Sequence, residues 1–218
     1  MKMNKITPLL LLEFALLCIA LPTVIIYFRF APFMFTFLWG AAGYCFLVYR
    51  RNHWQGFRNL WNWSAVTWEH LKPILIRWVI CCALMTAFIY VYDNERMFGL
   101  VQRNPKFIPF LLVLYPVLSA LPQEFIFCSF FFKRYAPLFK TQKTMIIASA
   151  LVFAYAHVLF INPIAPTLSL IAGLIFAKTY ADHKSLALVT IEQGLYGNFL
   201  FIVGLGWYFY GGAVAQMP

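Results

Sequence analysis

Long apolar runs follow one another along the chain, and short polar segments separate them. The runs cover approximately residues 8–28, 31–49, 74–92, 107–132, 144–161, 165–181 and 185–206. Most of them have about 20 residues, the length at which a helix crosses the hydrocarbon core of a bilayer. Their apolar character is continuous and does not alternate, which excludes a membrane β-barrel. The pattern predicts an all-α, polytopic membrane helix bundle with seven to eight transmembrane helices.

Three segments need separate interpretation. The first run follows two lysines like a signal peptide, but it is too long and lacks a small-x-small cleavage site, so it is predicted to be the first span. The run 107–132 contains Pro116 and Pro122, and proline kinks or divides helices, so two helical pieces are an alternative there. The stretch 50–73 is rich in Trp and Arg, which is typical of a segment at the membrane interface.

Composition and charge support this assignment. Hydrophobic residues make up 63% of the chain and charged residues 11%, whereas a soluble domain has roughly a quarter charged residues. In the seven-span arrangement, 13 of the 17 Lys and Arg residues lie on the side of the N-terminus. This bias predicts a cytoplasmic N-terminus. A short polytopic chain without a signal peptide fits a bacterial inner (plasma) membrane. The basic residues lie in short loops, so no nucleic-acid partner is expected despite the net charge of +10.

Three polar patches interrupt the apolar runs of the C-terminal half. They are Gln123-Glu124, the FAYAH segment 153–157 and the IEQGLYGN segment 191–198. Ionisable residues inside a membrane are costly and usually functional. Polar residues on separate spans can meet in the bundle interior, where hydrogen bonds offset the cost of burial. The sequence therefore predicts that the three patches converge.

Each patch contains candidate chemistry and a simpler alternative. Glu124 can act as a general base on water, or it can form an ion pair that fixes helix packing. His157 shares a helix face with Phe153 and can exchange a proton near neutral pH, or it can hydrogen-bond a neighbouring helix. Gln193 and Asn198 can donate hydrogen bonds to an oxyanion, and Asn198 can instead form an interhelical bond.

Metal binding is a further option that the sequence leaves open. Glu124 and His157, together with Glu192, offer nitrogen and oxygen ligands suited to zinc. The five cysteines form no C-x-x-C pair, so a thiolate zinc site is not expected. Glu13, another carboxylate in an apolar run, is expected to lie close enough to a span end to reach water.

The ordered patches resemble the CPBP family, which comprises type II CAAX prenyl endopeptidases and bacteriocin-processing or immunity proteins. Family members are multi-span intramembrane proteases with the motifs E-E-x-x-x-R, F-x-x-x-H and His-x-x-x-Asn. The resemblance rests on PQEFIFCSFFFKRY, FAYAH and IEQGLYGNFLFIVGLGWYFYGG. It implies one membrane domain over 1–218, in which 108–212 form the catalytic core and 1–107 supply N-terminal spans and the interfacial segment.

The chain departs from these motifs at three positions. Gln123 occupies the position of the first glutamate, which activates water in the family, and Glu124 keeps the second. Cys128 replaces the arginine. Gln193 best matches the histidine of the last motif, with Gly197 at the amide position. An alternative alignment places Gly194 at the histidine position and keeps Asn198 in register.

The resemblance implies an intramembrane endopeptidase that hydrolyses a membrane-associated peptide or protein, with or without a lipid chain, using water activated by Glu124 and His157. Gln123 orients the water in this scheme, Glu192 and Phe153 support the site, and zinc is optional. One alternative is a catalytically silent relative that binds a membrane peptide. Another is a proton-coupled transporter that uses Glu13, Glu124 and Glu192. Membrane lipids are expected partners in every case.

Overall fold

The part of the chain that the structure describes folds into a bundle of seven membrane-spanning helical segments. This computed structural model describes residues 7–57 and 59–209, and within these ranges it contains no strand. The seven segments are α1 Pro8–Tyr27, α2 Ala31–Asn52, α3 Trp68–Tyr92, α4 Pro105–Arg134, α5 Gln142–Phe160, α6 Ile164–His183 and α7 Leu186–Val203. Each is long and apolar enough to cross a bilayer. The predicted all-α membrane bundle is confirmed, with seven spans in the described residues.

Helix α4 is continuous, so the alternative of two separate pieces is wrong. Two π-helical turns, Pro116–Ala120 and Phe125–Phe130, enclose the short α-helical piece Leu121–Glu124. Proline lacks an amide hydrogen and crowds the preceding turn, and a wider turn absorbs both defects without breaking the helix. Each π turn adds one residue to the helical repeat, so side chains before and after it no longer share a face at the usual three- and four-residue spacing. Glu124 lies between the two π turns.

Side-chain caps fix where several spans begin. Thr7 accepts a hydrogen bond from the amide of Leu10 at the start of α1, and Ser185 accepts one from Leu188 at the start of α7. Thr141 and Thr144 form a reciprocal capping box at the start of α5. These caps satisfy amide groups that the first helical turn leaves without partners. Helix α3 begins at Trp68, six residues before the predicted 74, and includes Pro73.

Part of the stretch 50–73, the predicted interfacial segment, is hydrogen-bonded to the start of α7. The backbone amides of Leu186 and Ala187 donate to the carbonyl oxygens of Leu60 and Trp61 at 3.1 and 3.2 Å. The Ser185 hydroxyl donates to the Trp61 carbonyl at 3.0 Å. This part of the 50–73 stretch therefore lies at the turn that joins α6 to α7.

Small residues bring spans close together, and large apolar residues cover the outside. A Cβ atom at Gly173 on α6 would lie 3.0 Å from the Ala150 Cα on α5, so glycine permits this close approach. Outward-facing side chains such as Leu12, Val79 and Val113 are exposed. In a soluble protein such a surface would aggregate, whereas in a bilayer lipid covers it.

Candidate functional site

A cavity of about 440 Å³ lies among the spans. Its wall is predominantly apolar, and among the described residues it contains no Asp, Glu, Lys or Arg. Phe35 of α2, Leu84 of α3 and Ile171 of α6 belong to this wall and are also exposed. The cavity can therefore be reached from the side of the bundle that lipid surrounds.

A chain of hydrogen-bonded amides forms a polar part of the wall. The Gln193 Nε2 group of α7 donates to Gln123 Oε1 of α4 at 3.0 Å. Gln123 Nε2 then donates to the Ser119 hydroxyl at 2.8 Å. All three side chains line the cavity. The first and third polar patches of the sequence thus meet in space.

His157 contributes the second patch to the same cavity. Its Nδ1 atom lies 2.7 Å from the carbonyl oxygen of Phe153, and the two rings are 4.6 Å apart. Because a carbonyl oxygen can only accept, Nδ1 carries the proton and Nε2 keeps a lone pair in the neutral ring. The imidazole and the Phe153 ring both line the cavity, so all three patches reach one wall.

Glu124 does not line this cavity. Its side chain is 1% exposed, and the buried Cys128 lies one turn further along the helix. Its Oε2 atom has no partner among the described residues. Gln123 faces the cavity instead, since consecutive helix positions point about 100° apart. The role of Glu124 as a base therefore remains a prediction that this geometry does not favour.

Glu192 is held by an arginine that sequence reasoning did not select. Its carboxylate is fully buried and forms an ion pair with Arg77 of α3. The same guanidinium also reaches the Thr179 and Tyr196 hydroxyls at 3.3 Å each. Arg77 is the single basic residue inside the apolar run 74–92, and this isolation was the available signal.

Asn198 lies outside the cavity lining. Its amide group donates to the carbonyl oxygen of Leu112 on α4 at 3.2 Å, which is an interhelical bond. Gly197 lines the cavity, as does Gln193 one turn earlier. The alignment that pairs Gln193 with Gly197 therefore describes the cavity wall better than the one that uses Gly194 and Asn198.

Glu13 is paired with an arginine, and its access to water stays a prediction. Arg134 binds it through two nitrogens, with Nε 2.9 Å from Oε1 and Nη2 2.6 Å from Oε2. The Glu13 side chain is 10% exposed. Helix α4 carries Arg134 across to α1, a contact between residues 121 positions apart that no local pattern reveals.

The zinc option has no ligand set in the described part of the chain. No group of three or more His, Cys, Asp or Glu side chains is placed there to hold a metal ion. Glu124, which would have to join His157, does not line the cavity. We therefore derive no chemical step through a metal.

Spans, cavity and converging polar side chains together define an integral membrane protein with an intramembrane site. A family model described as type II CAAX prenyl endopeptidase Rce1-like matches residues 105–199. This confirms the family resemblance over α4, α5, α6 and most of α7. Neither the curated proteins nor the solved structures gave a match.

Proposed function

We propose that this protein is an intramembrane endopeptidase of the CAAX type, which hydrolyses a peptide bond in a membrane-associated peptide with an apolar or lipid chain. One observation carries this proposal. The His157 imidazole and the Gln123–Gln193 amide pair share the wall of an otherwise apolar cavity. A proton acceptor and neutral hydrogen-bond donors thus face a space that suits an apolar ligand.

In the proposed reaction, His157 acts as the base. Its Nε2 atom takes a proton from a water molecule as the water oxygen bonds to the peptide carbonyl carbon. Amide hydrogens of Gln123 and Gln193 stabilise the negative charge on the carbonyl oxygen. His157 then returns the proton to the leaving nitrogen as the C–N bond breaks. The glutamines cannot take the first step, because an amide does not accept a proton from water.

The wall of the cavity supports an apolar substrate. Burying a charged side chain among these residues would leave the charge without a partner, which is expensive in an apolar environment. A lipid chain or an apolar stretch of peptide gains from the same burial at roughly 25 cal/mol per Å². The exposed wall residues Phe35, Leu84 and Ile171 suggest entry from the bilayer.

Proteoliposomes provide the test. The purified protein is incubated with two peptides of the same sequence that end in a C-a-a-X motif, one of them prenylated on the cysteine of that motif, and cleavage is followed by mass spectrometry. We expect the wild type to cleave the prenylated peptide and His157→Asn to lose that cleavage. His183→Asn is the matched control, because His183 packs against His70 outside the cavity.

Two results would change this proposal. Cleavage that survives in His157→Asn and disappears in Glu124→Gln would return the role of base to Glu124. Absence of cleavage by the wild type, with the prenylated peptide bound and recovered intact, would favour the second candidate below.

The second candidate is a catalytically silent relative that binds a membrane peptide. It is favoured by the absence of Asp and Glu from the described cavity lining and by the mutual hydrogen bond of Gln123 and Gln193. A transporter is less well supported, because Glu13 and Glu192 are each bound by an arginine. Residence in a bacterial inner membrane with a cytoplasmic N-terminus remains part of the proposal.

A further inference from the structure

Arg77 links its own span, α3, to α6 and α7, and it lies outside the segment that matches the family. It lies on α3, whereas the match covers residues 105–199. Its guanidinium forms an ion pair with Glu192 and contacts Tyr196 on α7, and it contacts Thr179 on α6. The Arg77 side chain is 38% exposed, while that of Glu192 is fully buried.

These contacts fall on one face of α7. Glu192 and Tyr196 are four residues apart and therefore lie on the same side of the helix. Gln193 and Gly197 have the same spacing, follow directly after the first pair and line the cavity. A group that holds the first face also fixes the rotation of α7, and so the direction in which Gln193 points.

We infer that Arg77 is a positioning residue, which orients α7 so that the Gln193 amide reaches Gln123 in the cavity wall. The planar guanidinium suits this role, because it offers several donors in fixed directions, and a lysine ammonium does not reproduce that arrangement. In this chain Cys128 stands where the family motif has arginine. The arginine that contacts α7 is Arg77 on α3.

This inference rests on the proposed site, but it can be tested without cleavage. The chain contains six glutamines, so a protein labelled with side-chain ¹⁵N-glutamine in nanodiscs gives few NMR signals. Substituting Gln193 and Gln123 one at a time assigns their side-chain amide signals, because each substitution makes one pair of signals disappear. The test variant is Arg77→Met combined with Glu192→Leu, because removing the arginine alone would leave a buried charge without a partner, and leucine adds no further glutamine signal.

We expect the Gln193 amide signals to shift or broaden in the double variant and the Gln102 signals to stay in place. Arg103→Met is the matched control, since Arg103 donates to the Gly99 carbonyl of its own short helix. Gln193 signals that stay unchanged in a folded double variant would overturn the inference. A variant that does not fold is replaced by Arg77→Lys, which keeps the charge and is expected to disturb the same signals.

Cleavage supplies the second measurement. If the wild type is active, the double variant should lose on the order of 10- to 100-fold in kcat with KM little changed, as expected for a misplaced group. An unchanged kcat in the double variant would mean that the Arg77–Glu192 pair contributes only to packing, which would contradict the inference. If the wild type does not cleave, the proposed function fails while the NMR result still decides the role of Arg77.

Discussion

The side-chain amide of Gln193 donates to the side-chain oxygen of Gln123 at 3.0 Å, and this bond joins α7 to α4 in the cavity wall. The family motifs have a histidine and a glutamate at these two positions. Here two neutral amides face each other, and the nearby Glu124 is buried outside the cavity lining.

Restoring the family residues should raise activity. In the variant Gln123→Glu with Gln193→His, a carboxylate and an imidazole take the places of the linked amides. We expect hydrolysis of the prenylated peptide to increase by about 100-fold, because a positioned general base typically contributes 10²–10⁴. Rates in proteoliposomes provide the measurement. Gln102→Glu serves as the control, and a rate equal to the wild type's would argue against a hydrolytic role for this wall.

Gly197 should not tolerate a side chain. A Cβ atom there would lie 2.1–2.2 Å from atoms of the Tyr115 ring, so the ring would have to move. We expect Gly197→Ala to lower the free energy of unfolding by about 1–3 kcal/mol through overpacking. Unfolding in detergent micelles with increasing SDS measures the change.

The matched control is Gly43→Ala, because no heavy atom lies within 4 Å of a Cβ atom at Gly43. Alanine is the better helix former, so this variant should be as stable as the wild type or more stable. An equal loss of unfolding free energy in both variants would contradict the close packing of Tyr115 of α4 against Gly197 of α7.

The Glu13–Arg134 pair should stabilise the bundle far more than an exposed pair. Its side chains are 10% and 19% exposed, and removing one partner leaves the other buried without compensation. We expect Glu13→Gln to lower the free energy of unfolding by about 3 kcal/mol. Asp182→Asn removes the exposed pair with Lys178 and should change the free energy of unfolding by at most about 1 kcal/mol. The same SDS titration ranks them, and a reversed order would refute this assignment.

The charge bias should set the orientation in the membrane. A single cysteine in place of Asn104, between α3 and α4, is expected to react with a membrane-impermeant maleimide on intact cells. A cysteine in place of Lys140, between α4 and α5, should react only after the cells are permeabilised. The unmodified protein is the background control for the five native cysteines. The opposite pattern would place the N-terminus outside.

The sequence by itself determined the spans and the polar patches. Span length and hydropathy are local properties, so the runs in the printed sequence correspond to α1 to α7 within a few residues. The contact between Phe153 and His157 follows in the same way from the four-residue spacing within one helix. The meeting of Gln123 with Gln193 was anticipated only in outline, from the cost of placing polar groups in hydrocarbon.

Only the tertiary structure decided which side chain faces the cavity. Gln123 lines it and Glu124 does not. The two side chains point about 100° apart, so the rotation of α4 within the bundle selects between them. The partners of Glu192 and Glu13 could not be predicted from the sequence either. Arg77 and Arg134 reach them from spans more than 100 positions away along the chain. Helix periodicity fixes a residue's position on its own helix, whereas the rotation and packing of neighbouring helices decide what that residue meets.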